Sequence, residues 1–411
     1  MVKAFVQSVG TGTRPEQDIT QPLMWHWKNS GAGYTVWVVS EQSYPLAEQM
    51  ASRLGLAPSE YRIVTLRDKE DVEAAYRDCR ALFRDLDTSG YPLDRVEVDY
   101  TSGTKAMTAG LVLAAVASRC GTLSYIGGTR QGGVVVSGTE RLVPIEPRRI
   151  WADEGLRLGR EFCRALRFDA ALTLIDGVQR EWLGEEERRF AEGLRLVATG
   201  YGAWDRFEYA RAVGELTKLA DDPVAELEEF TPDRMIVKRL PNLKPERGLS
   251  ADRLADLFNN AGRRLSEGRY DDALARFYRL AEMFAQWILR KDFGIDTADV
   301  AVEKVPEALR VKLVSGRDID CAIQIGLEWD YRLLSALGHE AGRRFDHGEF
   351  AGIGVLLKKR NGSLLAHGLE PIARQDVESL QKKLAGLIAT EVPDVGERCA
   401  ALEFPWRRSR S

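Results

Sequence analysis

Up to about residue 145 the chain alternates short apolar runs with amphipathic stretches. The runs KAFVQSVG, YTVWVVS, YRIVTL, RVEVDY, TLSYIGG and GVVVSG are rich in Val, Ile and Tyr and predict strands. Between them, PLAEQMASRLG, DVEAAYRDCRALFRDL and TKAMTAGLVLAAVASRC carry the spacing or the continuous apolarity of packed helices. Strand and helix in alternation imply a parallel sheet covered on both faces. In such a sheet ligands bind where strands end, so the loops just after each strand are the place to search.

From about residue 151 the strand-like runs stop and the rest reads as helix. In DDALARFYRLAEMFAQWILRKDFGI, residues Ala273, Phe277, Leu280, Ala281, Phe284 and Ile288 recur at spacings of three and four and form one apolar stripe, the mark of a core helix in a bundle. KRLPNLKPERGLS, near residues 238–250, interrupts the pattern with two prolines and a glycine and is the expected boundary. The predicted class is α/β plus all-α: a Rossmann-like parallel sheet over 1–148, a helical connecting region over 149–245 and a helical domain over 246–411. GRYDDALA and LRFDAALTLIDG are locally alike, but two short matches do not establish a repeat array.

Composition narrows the partners. With 44% hydrophobic and 29% charged residues in 411, the chain can bury sizeable cores. Its net charge of -4 argues against a protein that binds nucleic acid over its whole surface, so any such site is a local basic cleft. The five cysteines, Cys79, Cys120, Cys163, Cys321 and Cys399, have neither paired nor Cys/His spacing, which points to reduced, buried thiols and to no metal site. The N-terminus opens on a strand-like run, not a signal peptide, and no apolar stretch reaches the roughly 18–20 residues that span a bilayer. The expectation is a soluble, cytoplasmic protein.

Two loops carry candidate binding chemistry. SVGTGTRP follows the first strand, and DYTSGTKAM follows the fourth and runs into a helix rich in small residues. The hydroxyls of Thr101, Ser102 and Thr104, the amides around Gly103 and the charge of Lys105 would converge at a helix N-terminus, suited to an anion. Gly10, Thr11, Gly12 and Thr13 would face them. The spacing is not that of a P-loop, and Thr13, Arg14 and Pro15 stand where a dinucleotide fingerprint needs its third glycine, which disfavours ATP hydrolysis and NAD binding. Turns and helix caps are the ordinary use of such residues; two such loops at the strand ends of one sheet favour a ligand.

RNGSLLAHG, residues 360–368, places Arg360 and His367 seven apart, which on a continuous helix is one face. Spacing alone is weak, because RLLSALGH sets Arg332 and His339 equally far apart. The first pair differs in its neighbours: Asn361 adds a polar side chain, Gly368 admits close approach, and Lys358 and Lys359 add positive charge. Arg332, followed by leucines, and His339 read as structural. Arg360, Asn361 and His367 suit RNA cleavage, in which the substrate brings its own 2'-hydroxyl nucleophile. Arginine would grip the phosphate, histidine would move a proton, and asparagine would orient either of them. The product would be a 2',3'-cyclic phosphate, formed without a metal.

SVGTGT and DYTSGTKAM in a Rossmann-like domain, joined to YDDALARFYRLAEMFAQWIL and RNGSLLAHG in a helical one, resemble the CARF-HEPN ribonucleases of type III CRISPR antiviral systems. The resemblance covers roughly residues 1–145 and 250–400. It implies a CARF domain over 1–148 that binds cyclic oligoadenylate through Gly10, Thr11, Gly12, Thr13, Thr101, Ser102, Gly103, Thr104 and Lys105, with a ring of four adenylates expected over one of six. It also implies a homodimer, with the ring on its two-fold axis, and a HEPN domain whose catalytic residues are Arg360, Asn361 and His367. Ligand binding would switch on cleavage of single-stranded RNA, with no membrane partner. The competing reading is a sensor that binds a cyclic nucleotide without cutting and whose helical domain engages a partner.

Overall fold

The predicted alternation builds a six-stranded sheet in the computed structural model, which describes residues 4–12, 18–131, 134–314, 323–365 and 368–408. Strands β1 (Ala4–Val9), β2 (Tyr34–Val39), β3 (Tyr61–Thr65), β4 (Val96–Asp99) and β5 (Thr122–Gly127) run parallel in the order β3-β2-β1-β4-β5. Helices α1 (Thr20–Ser30), α2 (Tyr44–Leu54), α3 (Val72–Thr88) and α4 (Lys105–Ala117) connect them. Every residue of β1 is buried, and Val36, Val38 and Val98 are fully enclosed, as a central sheet with two covered faces requires.

The last strand falls outside the run expected for it. Of the described residues of GVVVSG, Val134–Val135 (β7) is extended, paired antiparallel with Arg130–Gln131 (β6) in a small ribbon. The sheet's sixth member is β8 (Arg141–Ile145), antiparallel to β5 and exposed along its length. Its Pro144 suits an edge strand, and its polar start hides it from a search for apolar runs.

The remainder is helical: α5 (Arg148–Arg164), α6 (Phe168–Asp176), α7 (Glu185–Asp205), α8 (Tyr209–Asp221), α9 (Arg234–Arg239), α10 (Ala251–Ser266), α11 (Tyr270–Phe293), α12 (Glu307–Val314), α13 (Leu327–Ala336), α14 (Glu340–Arg344), α15 (Ile353–Gly362), α16 (Arg374–Ala389) and α17 (Val395–Ala401). Contacts divide the chain into two compact units, Met1–Gly155 with Val178–Leu183, and Leu156–Gly177 with Gly184–Ser411. The proline-bearing stretch near 238–250 lies within the second unit as short 3-10 turns, with Leu240 and Leu243 fully buried.

The likeness between LRFDAA and GRYDDA has a structural counterpart. The turns α5–α6, α7–α8 and α10–α11 each pass through one left-handed residue, Leu166 (φ 61°), Phe207 (φ 64°) and Gly268 (φ 75°). Two residues later an aromatic opens the next helix, Phe168, Tyr209 or Tyr270, and three further on a small residue, Ala171, Ala212 or Ala273, is fully buried where the two helices meet. The apolar stripe of α11 is buried as expected, with Ala273, Phe277, Leu280, Ala281, Phe284 and Ile288 all enclosed in one core with α13, α15 and α16.

Candidate functional sites

The first site forms where β1 and β4 end. Gly10 leaves β1 directly against Gly103: a Cβ on Gly10 would lie 2.7 Å from the Gly103 nitrogen and 2.8 Å from its Cα. The Gly10 amide donates to Ser102 Oγ at 3.0 Å, which ties the two loops together. Gly12 (φ 77°) and Gly103 (φ 120°) take backbone conformations that favour glycine. Thr104 caps α4, its Oγ1 accepting from the Met107 amide at 3.2 Å.

These loops line a cavity of about 340 Å³. Gly10, Thr11, Gly12, Thr101, Ser102, Gly103 and Thr104 are on its wall, together with Ser40, Gln42, Lys69 and Arg130. Lys105, expected among the ligand residues, starts α4 but is not on the wall, and Thr13 lies outside the described residues. Sequence reading missed Lys69 and Arg130, the two cations on the wall among the described residues. Lys69 follows β3 and Ser40 follows β2, so the rule that strand ends hold the ligand would have found them.

Beneath the wall lies a buried polar chain. Asp99 ends β4, with no exposure, and its Oδ1 accepts both from the Thr101 amide at 2.8 Å and from the Thr101 hydroxyl. Its Oδ2 accepts from Gln7 Nε2 at 2.7 Å and meets His26 Nδ1 at 2.9 Å. The other ring nitrogen of His26 meets Glu97 Oε1 at 2.8 Å. Burial pulls the imidazole pKa down, but the hydrogen bonds and charges of Asp99 and Glu97 outweigh it and set the value at about 9. No sequence signal marked His26; it sits in α1 two strands away from its partners in the chain.

The second site surrounds the end of α15. The helix stops at Gly362, so Arg360 and His367 do not share one continuous helical face as the seven-residue spacing had suggested. Ser363 caps the end, its Oγ donating to the Arg360 carbonyl at 2.8 Å. The chain then folds back: the Gly368 amide donates to Ser363 O at 3.2 Å and that of Glu370 to Gly362 O at 2.9 Å. A Cβ on Gly368 would lie 2.1 Å from that same Gly362 oxygen, so only glycine fits there. His367 lies outside the described residues.

Arg360 stacks its guanidinium on Tyr278 of α11, 4.8 Å from the ring centroid. Tyr278 and Asn361 line a cavity of about 390 Å³ with Lys358, Arg332, Glu328 and His347. Arg332 is therefore nearer this site than its leucine neighbours implied, held by Glu328 at 2.6 Å. The Nδ1 of His339 accepts from the Ala341 amide at 3.2 Å and caps α14, and its ring packs edge-on against Phe293. Among the described residues no group of three or more His, Cys, Asp or Glu could hold a metal ion, and no helix is long and apolar enough to cross a membrane. Cys79, Cys120 and Cys163 are buried free thiols and Cys399 is a half-buried one, while Cys321 lies outside the described residues.

The first unit is thus a Rossmann-like domain with a cavity at its strand ends, and the second a helical domain with a cavity beside the end of α15. Residues 250–391 match the family described as the Csm6 HEPN domain. The whole fold is that of a solved structure, "Enterococcus italicus Csm6 bound to cyclic hexa-2'-fluoro-hexa-dAMP", with a TM-score of 0.56 over 97% of each chain at 12% identity. No curated protein matches the chain.

Proposed function

We propose that the protein is an RNase of type III CRISPR defence, switched on by a cyclic oligoadenylate bound at the N-terminal cavity. The observation that carries this reading is the match of residues 250–391 to the Csm6 HEPN family, a span that contains Arg360, Asn361 and His367. The domain roles follow the expected division: residues 1–148 sense, 149–245 connect and 246–411 cut.

In the N-terminal cavity the chemistry suits a ring of nucleotides. Backbone amides near Gly103 and the start of α4 favour phosphate oxygens, and Lys69 and Arg130 add charge. The reading includes a homodimer in which two copies share one symmetric ligand across a two-fold axis. The solved Csm6 carries a ring analogue of six units, against the four expected with the family resemblance, so both belong in any test.

In the C-terminal site, Arg360 is stacked on Tyr278, a posture that leaves its in-plane N-H donors for phosphate oxygens. Arg360 would neutralise charge on the pentacoordinate phosphorus while His367 moves the proton of the 2'-hydroxyl or of the leaving 5'-oxygen. Asn361, on the cavity wall, would orient the substrate. The nucleophile belongs to the RNA, so the residues need only align and neutralise, and no metal is required.

Fluorescent single-stranded RNA, incubated in EDTA with no activator, cyclic tetra-adenylate or cyclic hexa-adenylate, tests the reading. Cleavage with one ring, 2',3'-cyclic phosphate ends and loss of activity in His367→Ala are the expected results. Tight ring binding with intact RNA would instead indicate a sensor whose output lies elsewhere.

A further inference from the structure

We infer that His26 is a positioning residue of the activator site, holding the Thr101 hydroxyl so that it can only accept a hydrogen bond from the ligand. The inference rests on the reading of the N-terminal cavity as that site.

His26 is fully buried in α1 and does not touch the cavity. Its two ring nitrogens meet two carboxylates, Glu97 Oε1 at 2.8 Å and Asp99 Oδ2 at 2.9 Å. A neutral imidazole has one N-H and could satisfy only one of them; an imidazolium satisfies both. Phe5 packs edge-on against the ring at 4.9 Å, fixing its plane. Glu97 and Asp99, both from β4, are the charged groups acting on it among the described residues; Gln7 of β1, which donates to Asp99, is uncharged.

With one oxygen of Asp99 held by His26 and Gln7, the other is left facing Thr101. It takes the Thr101 amide and the hydroxyl proton together. The Thr101 oxygen also accepts from the Ile126 amide of β5 at 2.8 Å. One lone pair remains, on a cavity wall. A ligand can therefore meet Thr101 only with a donor, such as a ribose hydroxyl or an adenine amino group. Ser102, whose oxygen accepts from Gly10, keeps its proton for a phosphate oxygen. The two adjacent hydroxyls thus present opposite polarities, and the one beside Asp99 owes its polarity to a histidine outside the cavity.

The experiment measures equilibrium binding of cyclic tetra-adenylate and cyclic hexa-adenylate to the full chain, for the unsubstituted protein, His26→Gln, Thr101→Val and the double variant. We expect each single change to weaken binding of the preferred ring about tenfold, with the double variant no weaker than the weaker single, because both act through one hydroxyl. Binding within twofold of the unsubstituted protein in His26→Gln, beside a loss in Thr101→Val, would overturn the inference and leave the cavity reading intact, as would additive losses. Failure of the unsubstituted protein to bind either ring would remove the cavity reading itself, and the inference with it. Should His26→Gln not fold, affinity between pH 7.5 and pH 10 decides. The unsubstituted protein is expected to lose affinity above about pH 9, where His26 loses its charge, and Thr101→Val to lose none beyond any loss from other groups. Parallel curves for the two would overturn the inference.

Discussion

Gly10 and Gly103 lie in contact, closer than any side chain on Gly10 would allow: its Cβ would stand 2.7 Å from the Gly103 nitrogen. The obstructing atoms are backbone, so no rotamer change relieves the clash. Gly10→Ala is expected to push the two loops apart and weaken ring binding by tenfold or more. The sheet beneath should remain, so calorimetric binding should collapse while the circular-dichroism spectrum stays that of the parent.

Lys69 and Arg130 are the cations on the cavity wall. Replacing either with Ala is expected to weaken ring binding about tenfold and to flatten its dependence on salt, since each removes one phosphate partner. Lys105→Ala, off the wall, should change affinity by less than threefold. Titration of a labelled ring at two salt concentrations checks all three.

His26 also ties stability to pH. Its folded pKa, about 9, stands above the ordinary 6.5, so its contribution is fully present below about pH 6.5 and is lost as pH rises through about 9. The shift corresponds to about 3 kcal/mol at its fullest. Urea unfolding of the unsubstituted protein should therefore show stability falling between pH 7 and pH 9.5, with a shallower fall in His26→Gln.

Asp330 of α13 works in the opposite sense. It is fully buried, neither carboxyl oxygen has a hydrogen-bond partner, and burial, with the nearby charge of Glu282, pushes its pKa up to about 7. In the unfolded chain the carboxyl ionises near the ordinary 3.8, so its penalty begins there and is complete above about pH 7. Asp330→Asn is expected to raise the melting temperature by about 2 °C at pH 8 and by less at pH 5. Equal shifts at both pH values would show that folding does not raise the pKa of this carboxyl.

Much of the fold was legible because it rests on period and punctuation. The parallel strands announce themselves as apolar runs, and α11 as a stripe at spacings of three and four. β8 was not legible, being an exposed edge whose pairing is fixed only by the strand beside it. The α7–α8 turn escaped notice as a third copy of the α5–α6 and α10–α11 turns because Phe207 stands where Gly268 or Leu166 does, and backbone conformation, not residue type, is what the three share. At the N-terminal site the hydroxyl and glycine loops could be read, because strand ends place them together. Lys69 and Arg130 also follow strands, β3 and β5, but no motif marks them, and His26 could not be read at all, since packing brings it to β4 from a distant part of the chain. At the C-terminal site the seven-residue spacing suggests one helical face, but α15 ends at Gly362, a break that Gly362 and Ser363 set locally and that spacing does not show.

In the proposed function, a ring held in the N-terminal cavity governs RNA cleavage in the C-terminal helical domain. Single-turnover cleavage of single-stranded RNA against ring concentration, for the unsubstituted protein and Lys69→Ala, tests it most directly. The account predicts a curve displaced to higher ring concentration by the same factor as the loss in binding, with the maximal rate unchanged. Cleavage that proceeds equally without any ring, or a curve that Lys69→Ala leaves in place while binding weakens, would contradict it.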